Sequence, residues 1–254
     1  MEKINLSVIT ASFNSEKTIE STLNSILNQD CSNMEYIIVD GGSSDSTLLI
    51  IQKFEKFFND AGVVFKWISE KDTGIYNAWN KGLDLAKGDW ISFLGSDDIY
   101  LPKAIQQYRK QMFKNPESDF ITAKARIVSN GILEREFGTD WHWKSFKREM
   151  KILHAGGFIN KNYILQYGKF DESYRIAGDY ELLLRKGKKL NVIFINQFLV
   201  EMNADGVSNT LIQKALKEAM QARIKNNARS KFFAHIDYYW IFFKISCKKI
   251  LHVK

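Results

Sequence analysis

Short apolar runs alternate with segments of helical periodicity through the first hundred residues of the chain. The apolar runs are rich in β-branched and aromatic residues, which is typical of strands buried in a sheet. Between them, apolar residues recur every three or four positions, as along one face of a helix. This alternation predicts an α/β protein with a doubly wound, mostly parallel sheet and helices on both faces. The predicted strands are residues 4–13, 35–40, 63–70 and 89–94, and the predicted helices lie within 19–27, 48–58 and 75–87.

The regularity loosens after about residue 115. Two apolar runs, residues 119–128 and 131–137, flank a Ser-Asn-Gly turn at 129–131 and predict a hairpin. Together with the first half, these elements predict one domain over residues 1–210, followed by a tail over residues 211–254. The other elements predicted in this part of the domain are helices over 160–168 and 178–187 and a strand over 191–202.

The tail differs from the domain in charge. The chain carries a net charge of +7, but residues 212–254 contain ten Lys or Arg and two acids, so that segment alone carries +8 and the other 211 residues sum to −1. The protein is therefore a nearly neutral body with a basic tail. Two apolar stripes at helical spacing predict amphipathic helices in the tail: Ile212, Leu216, Met220 and Ile224, then Phe232, Ile236, Trp240, Phe243, Cys247 and Ile250.

The tail allows two interpretations. Its apolar stripes suit helices packed on the body, while its basic charge and its Trp, Tyr and Phe residues suit an anionic membrane surface. No RNA or DNA module is recognisable in the chain, so no nucleic-acid partner is expected. The longest uncharged aromatic run, YYWIFF, is far shorter than the roughly 20 residues that span a bilayer. Cys31 and Cys247 lie far apart and the N-terminus shows no apolar leader, which favours a reduced, cytoplasmic setting.

Three carboxylates fall where predicted strands end. Asp97 and Asp98 follow the buried run at 89–94, and Asp40 ends the strand at 35–40. Parallel α/β sheets bind ligands at the carboxyl ends of their strands. Adjacent acids repel each other, and a hard cation such as Mg²⁺ or Mn²⁺ would remove that repulsion, whereas a helix cap would explain only one of the two acids. Asp40, taken alone, suits a turn and a helix cap better than a ligand contact.

Residues 70–82 place Asp72 and Lys81 around a turn and the start of a helix. A helix start of this kind can face an anion, and a lysine there can reach a phosphate. The alternative is a solvated turn with a surface lysine, and this segment alone does not decide between them.

Asp179 and Glu181 begin another predicted helix, in the sequence AGDYELLLR. Acids in a first helical turn complement the helix dipole, and either residue would instead suit a general base if a site lies nearby. Two further residues are candidates for a ligand site. His154 is expected in the core or supporting the site, and Trp141, in a Trp-His-Trp cluster, either stacks on a sugar ring or packs internally.

Taken together and in order, these segments resemble the family 2 glycosyltransferases of the GT-A fold. Residues 154–185 are similar to the acceptor-side half of bacterial members that build surface polysaccharides. The resemblance implies a nucleotide-sugar-binding half over 1–103, an acceptor-binding half over 104–210, and Mn²⁺ or Mg²⁺ as cofactor. It is carried by SVITASFNSEKTIESTLNSILNQ, YIIVDGGSSDST, EKDTGIYNAWNKGLDLAKGDWISFLGSDD and HAGGFINKNYILQYGKFDESYRIAGDYELLLR.

The resemblance implies a nucleotide-sugar site built from the first half. Ala11 and Phe13 match positions whose backbone and ring hold the nucleotide base, and Asp40 matches the acid that reads the base edge. Asp72 and Lys81 fall in the region that closes over the nucleotide and its diphosphate. Four of these residues lie in or next to the ends of predicted strands, and Lys81 lies within the helix predicted over 75–87.

The same resemblance implies roles for three more carboxylates. In the DxD-type motif, Asp97 meets the ribose or the metal shell and Asp98 is the direct metal ligand, while Asp179 matches the catalytic base of inverting members. The chain departs from the family at two positions. Ala11 replaces the usual proline, and Gly41 replaces the usual second acid after Asp40, which weakens any expectation of how tightly the nucleotide is read.

The expected function is inverting, metal-dependent transfer of a sugar from a nucleotide donor, with a UDP-sugar favoured. The expected acceptor is a saccharide or a polyprenyl-diphosphate-linked sugar in O-antigen, capsule or exopolysaccharide biosynthesis, at the inner face of the cytoplasmic membrane. One alternative is a sugar-1-phosphate nucleotidyltransferase, whose glycine-rich loop after the first strand is not found in TASFNSEK. The other is a non-catalytic nucleotide-sugar-binding homologue, against which the joint presence of Asp98 and Asp179 argues.

Overall fold

A computed structural model describes residues 5–204 and 211–251. Within them nine strands form one sheet in the order β3-β2-β1-β4-β8-β6-β9-β5, with β7 paired to β6. The strands are β1 Leu6–Ser12, β2 Met34–Asp40, β3 Val64–Ser69, β4 Trp90–Gly95, β5 Ile99–Tyr100, β6 Phe120–Ser129, β7 Ile132–Phe137, β8 Phe158–Asn160 and β9 Val192–Asn203. The helices are α1 Ile19–Leu27, α2 Thr47–Asp60, α3 Ile75–Leu85, α4 Ala104–Lys114, α5 Trp143–Phe146, α6 Lys161–Tyr167, α7 Gly178–Leu184, α8 Ile212–Lys225 and α9 Lys231–Leu251.

The first four predicted strands form a parallel block, β3-β2-β1-β4. Ser12 of β1 pairs with Asp40 of β2, which in turn pairs with Ser69 of β3, and Gly95 of β4 pairs with Ala11. The carboxyl ends of all four strands therefore reach the same edge of the sheet, where the predicted acids lie. The doubly wound expectation is confirmed for this half.

The second half joins the block through β8, a short strand that the periodicity does not reveal. The three-residue strand β8 lies antiparallel between β4 and β6, and β6 then pairs in parallel with β9. The hairpin of β6 and β7 is confirmed. The helix-cap interpretation of Asp98 is wrong, because α4 begins only at Ala104, after Lys103, and Asp98 instead precedes the short strand β5.

Helices cover both faces of the sheet because side chains alternate along each strand. Val8 and Ile38 point into one core with α1, α2 and α4, and their neighbours Ile9 and Ile37 point into a second core with α3, α6 and α7. The second core also contains Ala222 of α8, so part of the predicted tail belongs to the body. The boundary predicted at residue 210 lies outside the described residues.

The two tail helices use faces other than their predicted apolar stripes to contact the body. On α8 the buried residues are Glu218, Ala222 and Arg223. On α9 they include Ala234 and Asp237, whereas four residues of the predicted apolar stripe are exposed: Phe232, Ile236, Trp240 and Phe243. Packing of the stripes on the body, one of the two sequence interpretations, is therefore wrong for α9. No described helix is long and apolar enough to cross a membrane.

Candidate active site

Asp40 organises the edge of the sheet where the parallel strands end. Its buried carboxylate accepts hydrogen bonds from the hydroxyls of Ser12, Ser43 and Ser69 and from the backbone N–H groups of Gly42 and Ser43. Although burial favours the neutral acid, these hydrogen bonds hold the pKa of Asp40 below its ordinary value. With both oxygens engaged internally and no exposed surface, Asp40 shapes the loop after β2.

The loop after β1 is bonded to the loop after β2. The Asn14 N–H donates to Ser43 Oγ at 2.8 Å, and the Asn14 side chain accepts from the Ser44 N–H at 2.9 Å. Asn14 adopts a positive φ of 48°, which its short polar side chain tolerates. These bonds leave the ring of Phe13 63% exposed beside Ala11, at the strand-end edge. An exposed aromatic ring held on an ordered loop provides a surface for stacking a planar group.

The Asp72 carboxylate occupies the space where a side chain on residue 41 would lie, and this space is free because residue 41 is glycine. A Cβ on Gly41 would lie 2.6 Å from Asp72 Oδ2 and 3.3 Å from the ring of Phe13. Asp72 Oδ1 meanwhile accepts from the Gly74 N–H at 2.8 Å, just ahead of α3. The departure from the family pattern at Gly41 therefore has a physical reason, since a larger residue would displace the Asp72 carboxylate from Phe13.

Lys81 supports the loop that carries Asp72. Its ammonium donates to the Lys71 carbonyl at 3.1 Å and pairs with the Glu70 carboxylate at 2.8 Å. These contacts fix residues 70–71 on α3, and the contact between Lys81 and a diphosphate stays a prediction.

Asp97 and Asp98 converge on the end of β4. A Cβ on Gly95 would lie 2.8 Å from Asp97 Oδ1 and 2.8 Å from Asp98 Oδ2, so both carboxylates close on this residue. Burial, reinforced by the charge of Asp97, raises the pKa of Asp98 to about 8. A hydrogen bond of 2.7 Å between the hydroxyls of Ser96 and Ser15 connects this segment to the loop after β1. Two oxygen donors of this kind suit a hard divalent cation.

Asp179 lies in the first turn of α7 and is partly buried. Its Oδ1 accepts from the Tyr180 N–H at 2.7 Å and lies 3.4 Å from the Tyr76 hydroxyl. The Tyr76 hydroxyl donates to the Ile176 carbonyl at 2.6 Å and accepts from the Asp179 N–H at 3.4 Å. Burial raises the pKa of Asp179 to about 6, against the opposing effect of these hydrogen bonds. Because Tyr76 belongs to the first turn of α3, it places Asp179 next to the helix that begins beside Asp72.

Helix α3 also holds the segment that leads into α7. Asn80 donates to the Phe170 carbonyl at 3.0 Å and accepts from the Phe170 N–H at 3.0 Å, and Asn77 donates to Glu172 at 2.9 Å. The exposed Arg175 follows, and a Cβ on Gly74 would lie 2.5 Å from its guanidinium. The sequence interpretation missed Arg175, because its neighbour Gly74 is about a hundred residues away along the chain.

Helix α8 buttresses the same segment through a residue that the sequence interpretation missed. Glu218 Oε2 accepts from the backbone N–H groups of Arg175, Ile176 and Ala177 at 2.8–3.0 Å. Glu218 is 7% exposed, so one buried carboxylate satisfies three amides immediately before α7. The basic tail therefore contributes directly to the position of Asp179.

We expect Glu218→Ala to lower the free energy of unfolding by about 3 kcal/mol, because three buried amides lose a charged acceptor. Activity should fall as well, since the segment before Asp179 loses its support. Urea denaturation and a transfer assay measure the two effects. The exposed neighbour Lys217, replaced by Ala, serves as the control. A Glu218→Ala protein as stable as wild type would show that these hydrogen bonds contribute little.

The three remaining candidate residues all pack against other parts of the protein. Glu181 is fully buried and bonded to Arg185, Lys225 and Asn226, so its carboxylate is engaged in joining α7 to α8 rather than exposed as a base. His154 lies among the rings of Trp79, Phe93, Phe120 and Phe170, and burial lowers its pKa to about 3, so it is a neutral core residue. Trp141 is partly buried against Phe146, beside α7.

Comparison with known sequences gives the family of the chain. Residues 7–165 match the family described as Glycosyl transferase family 2. The chain belongs to this family. It is 27% identical over 220 residues to a PGL/p-HBAD biosynthesis glycosyltransferase of Mycobacterium bovis, covering 82% of this chain and 80% of the relative. The resemblance inferred from the sequence is confirmed.

Solved structures confirm the GT-A fold. S. aureus TarS 1–349, in complex with UDP-GlcNAc, superposes with a TM-score of 0.69 at 17% identity, covering 92% of this chain and 70% of that one. The chain spans 41% of the longer TarS structure. The mannosyltransferase PcManGT from Pyrobaculum calidifontis, in complex with GDP-Man and Mn²⁺, gives a TM-score of 0.69 at 15% identity, covering 94% and 70%. At these identities the likeness establishes the fold.

Proposed function

We propose that this glycosyltransferase moves a sugar from a nucleotide donor to an acceptor hydroxyl with inversion at the anomeric carbon. The observation that carries the proposal is the placement of Asp179. The Tyr76 hydroxyl donates to the Ile176 carbonyl at 2.6 Å and lies 3.4 Å from the Asp179 carboxylate, so it fixes the start of α7 beside the first turn of α3. Helix α3 begins next to Asp72 and Gly41 at the strand-end edge. The candidate base Asp179 and the candidate nucleotide site therefore both lie at the N-terminus of α3.

In the proposed reaction Asp179 acts as general base. Its Oδ accepts the proton of the acceptor hydroxyl while the acceptor oxygen bonds to the anomeric carbon from the face opposite the leaving group. The bond from that carbon to the nucleoside diphosphate breaks, and the diphosphate leaves with the electron pair. One displacement inverts the anomeric centre. A sugar hydrolase uses two carboxylates and water at this step, whereas here an acceptor sugar replaces the water.

The proposed cofactor is Mn²⁺ or Mg²⁺, held by Asp98 with Asp97 beside it. The fit rests on two carboxylates that converge on Gly95, where Asp98 is buried beside the like charge of Asp97. No cluster of three or more His, Cys, Asp or Glu side chains suited to a metal occurs in the described part of the chain, so oxygens of the diphosphate would complete the shell. A bound cation would stabilise the negative charge that develops on the leaving group.

A UDP-sugar is the proposed donor, and the complexes of TarS with UDP-GlcNAc and of PcManGT with GDP-Man and Mn²⁺ support a nucleotide sugar in general. Phe13 would stack on the base and Asp72 would contact it or its ribose. The proposed acceptor is a saccharide or a polyprenyl-diphosphate-linked sugar of a cell-surface polysaccharide, at the inner face of the cytoplasmic membrane. The family match favours this reaction over the nucleotidyltransferase alternative.

Thermal unfolding with a panel of UDP-, GDP- and dTDP-sugars, with and without Mn²⁺, tests the proposal. A donor at a hundredfold excess over its Kd stabilises the native state by about 2.7 kcal/mol, which raises Tm by roughly 5–10 °C for a chain of this size. We expect this rise with a UDP-sugar and Mn²⁺, and its loss when EDTA is added. No stabilisation by any nucleotide sugar would contradict donor binding. Binding without transfer to any acceptor would instead support the non-catalytic alternative.

A further inference from the structure

One face of α9 is apolar, aromatic and exposed. The residues recur at helical spacing, so they form one continuous stripe, which we call the aromatic stripe. The opposite face holds the helix to the body, where the buried Asp237 pairs with Arg148 and Arg229. The aromatic stripe consists of Phe232, Phe233, Ile236, Tyr239, Trp240 and Phe243, whose exposed fractions run from 45% to 70%.

A cationic groove runs beside the aromatic stripe, between α9 and residues 142–151. Its volume is about 420 Å³, and its lining includes Lys144, Arg148, Lys151 and Lys244. Two carboxylates also line it, and both are engaged: Asp237 with Arg148, and Glu149 with Lys151 at 3.5 Å. Lys144 and Lys244 therefore supply the excess positive charge.

The groove and the stripe form one continuous surface. Trp240 belongs to both, and the Lys244 ammonium lies 5.2 Å from the centre of its ring. Aromatic rings favour the interfacial level of a bilayer, and lysine ammonium groups beside them are within reach of lipid phosphates. Phosphate oxygens accept charge-assisted hydrogen bonds from lysine and arginine.

We propose that this surface binds an anionic bilayer, with the aromatic stripe in the interface and a lipid headgroup phosphate in the groove. The charge beside the aromatic stripe favours an anionic surface over a second copy of the chain, because Lys144 and Lys244 leave the groove with excess positive charge and two such surfaces would repel each other. The proposed function explains what such binding would serve, but the binding itself does not depend on it.

The segment that lines the groove is bonded to the helix that carries the candidate base. Tyr180, next to Asp179, donates its hydroxyl to the Phe146 carbonyl at 2.5 Å, and Phe146 lies within the segment 142–151 that forms the groove wall.

Sedimentation with vesicles tests the proposal, with the full chain and two lipid compositions, phosphatidylcholine alone and phosphatidylcholine with about one third phosphatidylglycerol. We expect binding only to the anionic vesicles, weakened by added salt. The double variant Lys144→Ala/Lys244→Ala should partition about thirtyfold more weakly, and Phe232→Ala/Phe243→Ala should also bind more weakly.

The matched controls carry the same changes elsewhere on the exposed surface: Lys56→Ala/Lys110→Ala and Leu49→Ala/Leu165→Ala, both expected to bind as wild type. Absence of wild-type binding, or equal losses in the control and groove variants, would overturn the proposal. A dimer in solution that Phe232→Ala/Phe243→Ala dissociates would overturn it in favour of a second copy. Donor-induced thermal stabilisation, measured without vesicles, tests the proposed function separately.

Discussion

Replacing Asp179 by Asn is expected to lower the rate of sugar transfer by about 10²- to 10⁴-fold, the usual contribution of a general base. Asn keeps the size of the side chain and an oxygen that can accept from the Tyr180 N–H, but it cannot take the acceptor proton. Donor binding should therefore remain near the wild-type level, because Asp179 contacts the acceptor side. Initial rates and donor-induced thermal stabilisation measure the two properties.

The pH dependence provides a second test of Asp179. Its pKa is raised to about 6, and a base acts only when deprotonated, so wild-type kcat/KM should fall about tenfold per pH unit below pH 6. Above that pH this group should cause no further change. The acidic limb should disappear from the residual activity of Asp179→Asn. The exposed Asp60, replaced by Asn, makes the same charge change away from α7 and should keep the wild-type profile. Full activity in Asp179→Asn would remove it as the base.

Asp98→Asn is expected to lower transfer by about 10²- to 10³-fold, since metal-assisted charge stabilisation contributes several kcal/mol. Unlike Asp179→Asn, it should also abolish the stabilisation that Mn²⁺ adds to donor binding. The free protein should be as stable as wild type or more so, because the substitution removes a buried carboxyl that lies beside Asp97. Thermal unfolding with and without Mn²⁺ and donor measures both effects.

Asp97→Asn separates the two adjacent acids. If Asp98 is the direct ligand, Asp97→Asn should retain Mn²⁺-dependent stabilisation, weakened by a smaller factor. Equal losses in both variants would show that the two carboxylates share the cation. Unchanged Mn²⁺ dependence in Asp98→Asn would contradict its assignment as a ligand.

The sequence predicted the parallel half of the sheet accurately because its strands are long, apolar and regularly alternated with helices. It missed β8, since a strand of three residues carries no detectable period. It missed β5 for the same reason. Strand β8 joins the two halves of the sheet by pairing with β4 and β6, and β5 pairs with β9 at the end of the sheet. The partners of both short strands lie at least 37 residues away along the chain.

Several residue environments required the folded chain. Glu181 fits a base by its position in a helix, yet its carboxylate is buried among Arg185, Lys225 and Asn226. Glu218 looks like one acid in a basic tail, yet it binds three amides ahead of Asp179. The local sequence shows which roles a side chain could have. The contacts that it makes in the folded chain determine which of those roles it has.

The sequence alone determined the class of fold, the family and the strand-end positions of Asp40, Asp97 and Asp98, because periodicity and motif order are local properties of the chain. Only the tertiary structure decided which groups meet: Asp72 in the space at Gly41, Asp179 against Tyr76, and the aromatic stripe directed away from the body. These contacts join residues far apart in sequence. They arise when helices pack on the two faces of the sheet, so no local pattern records them.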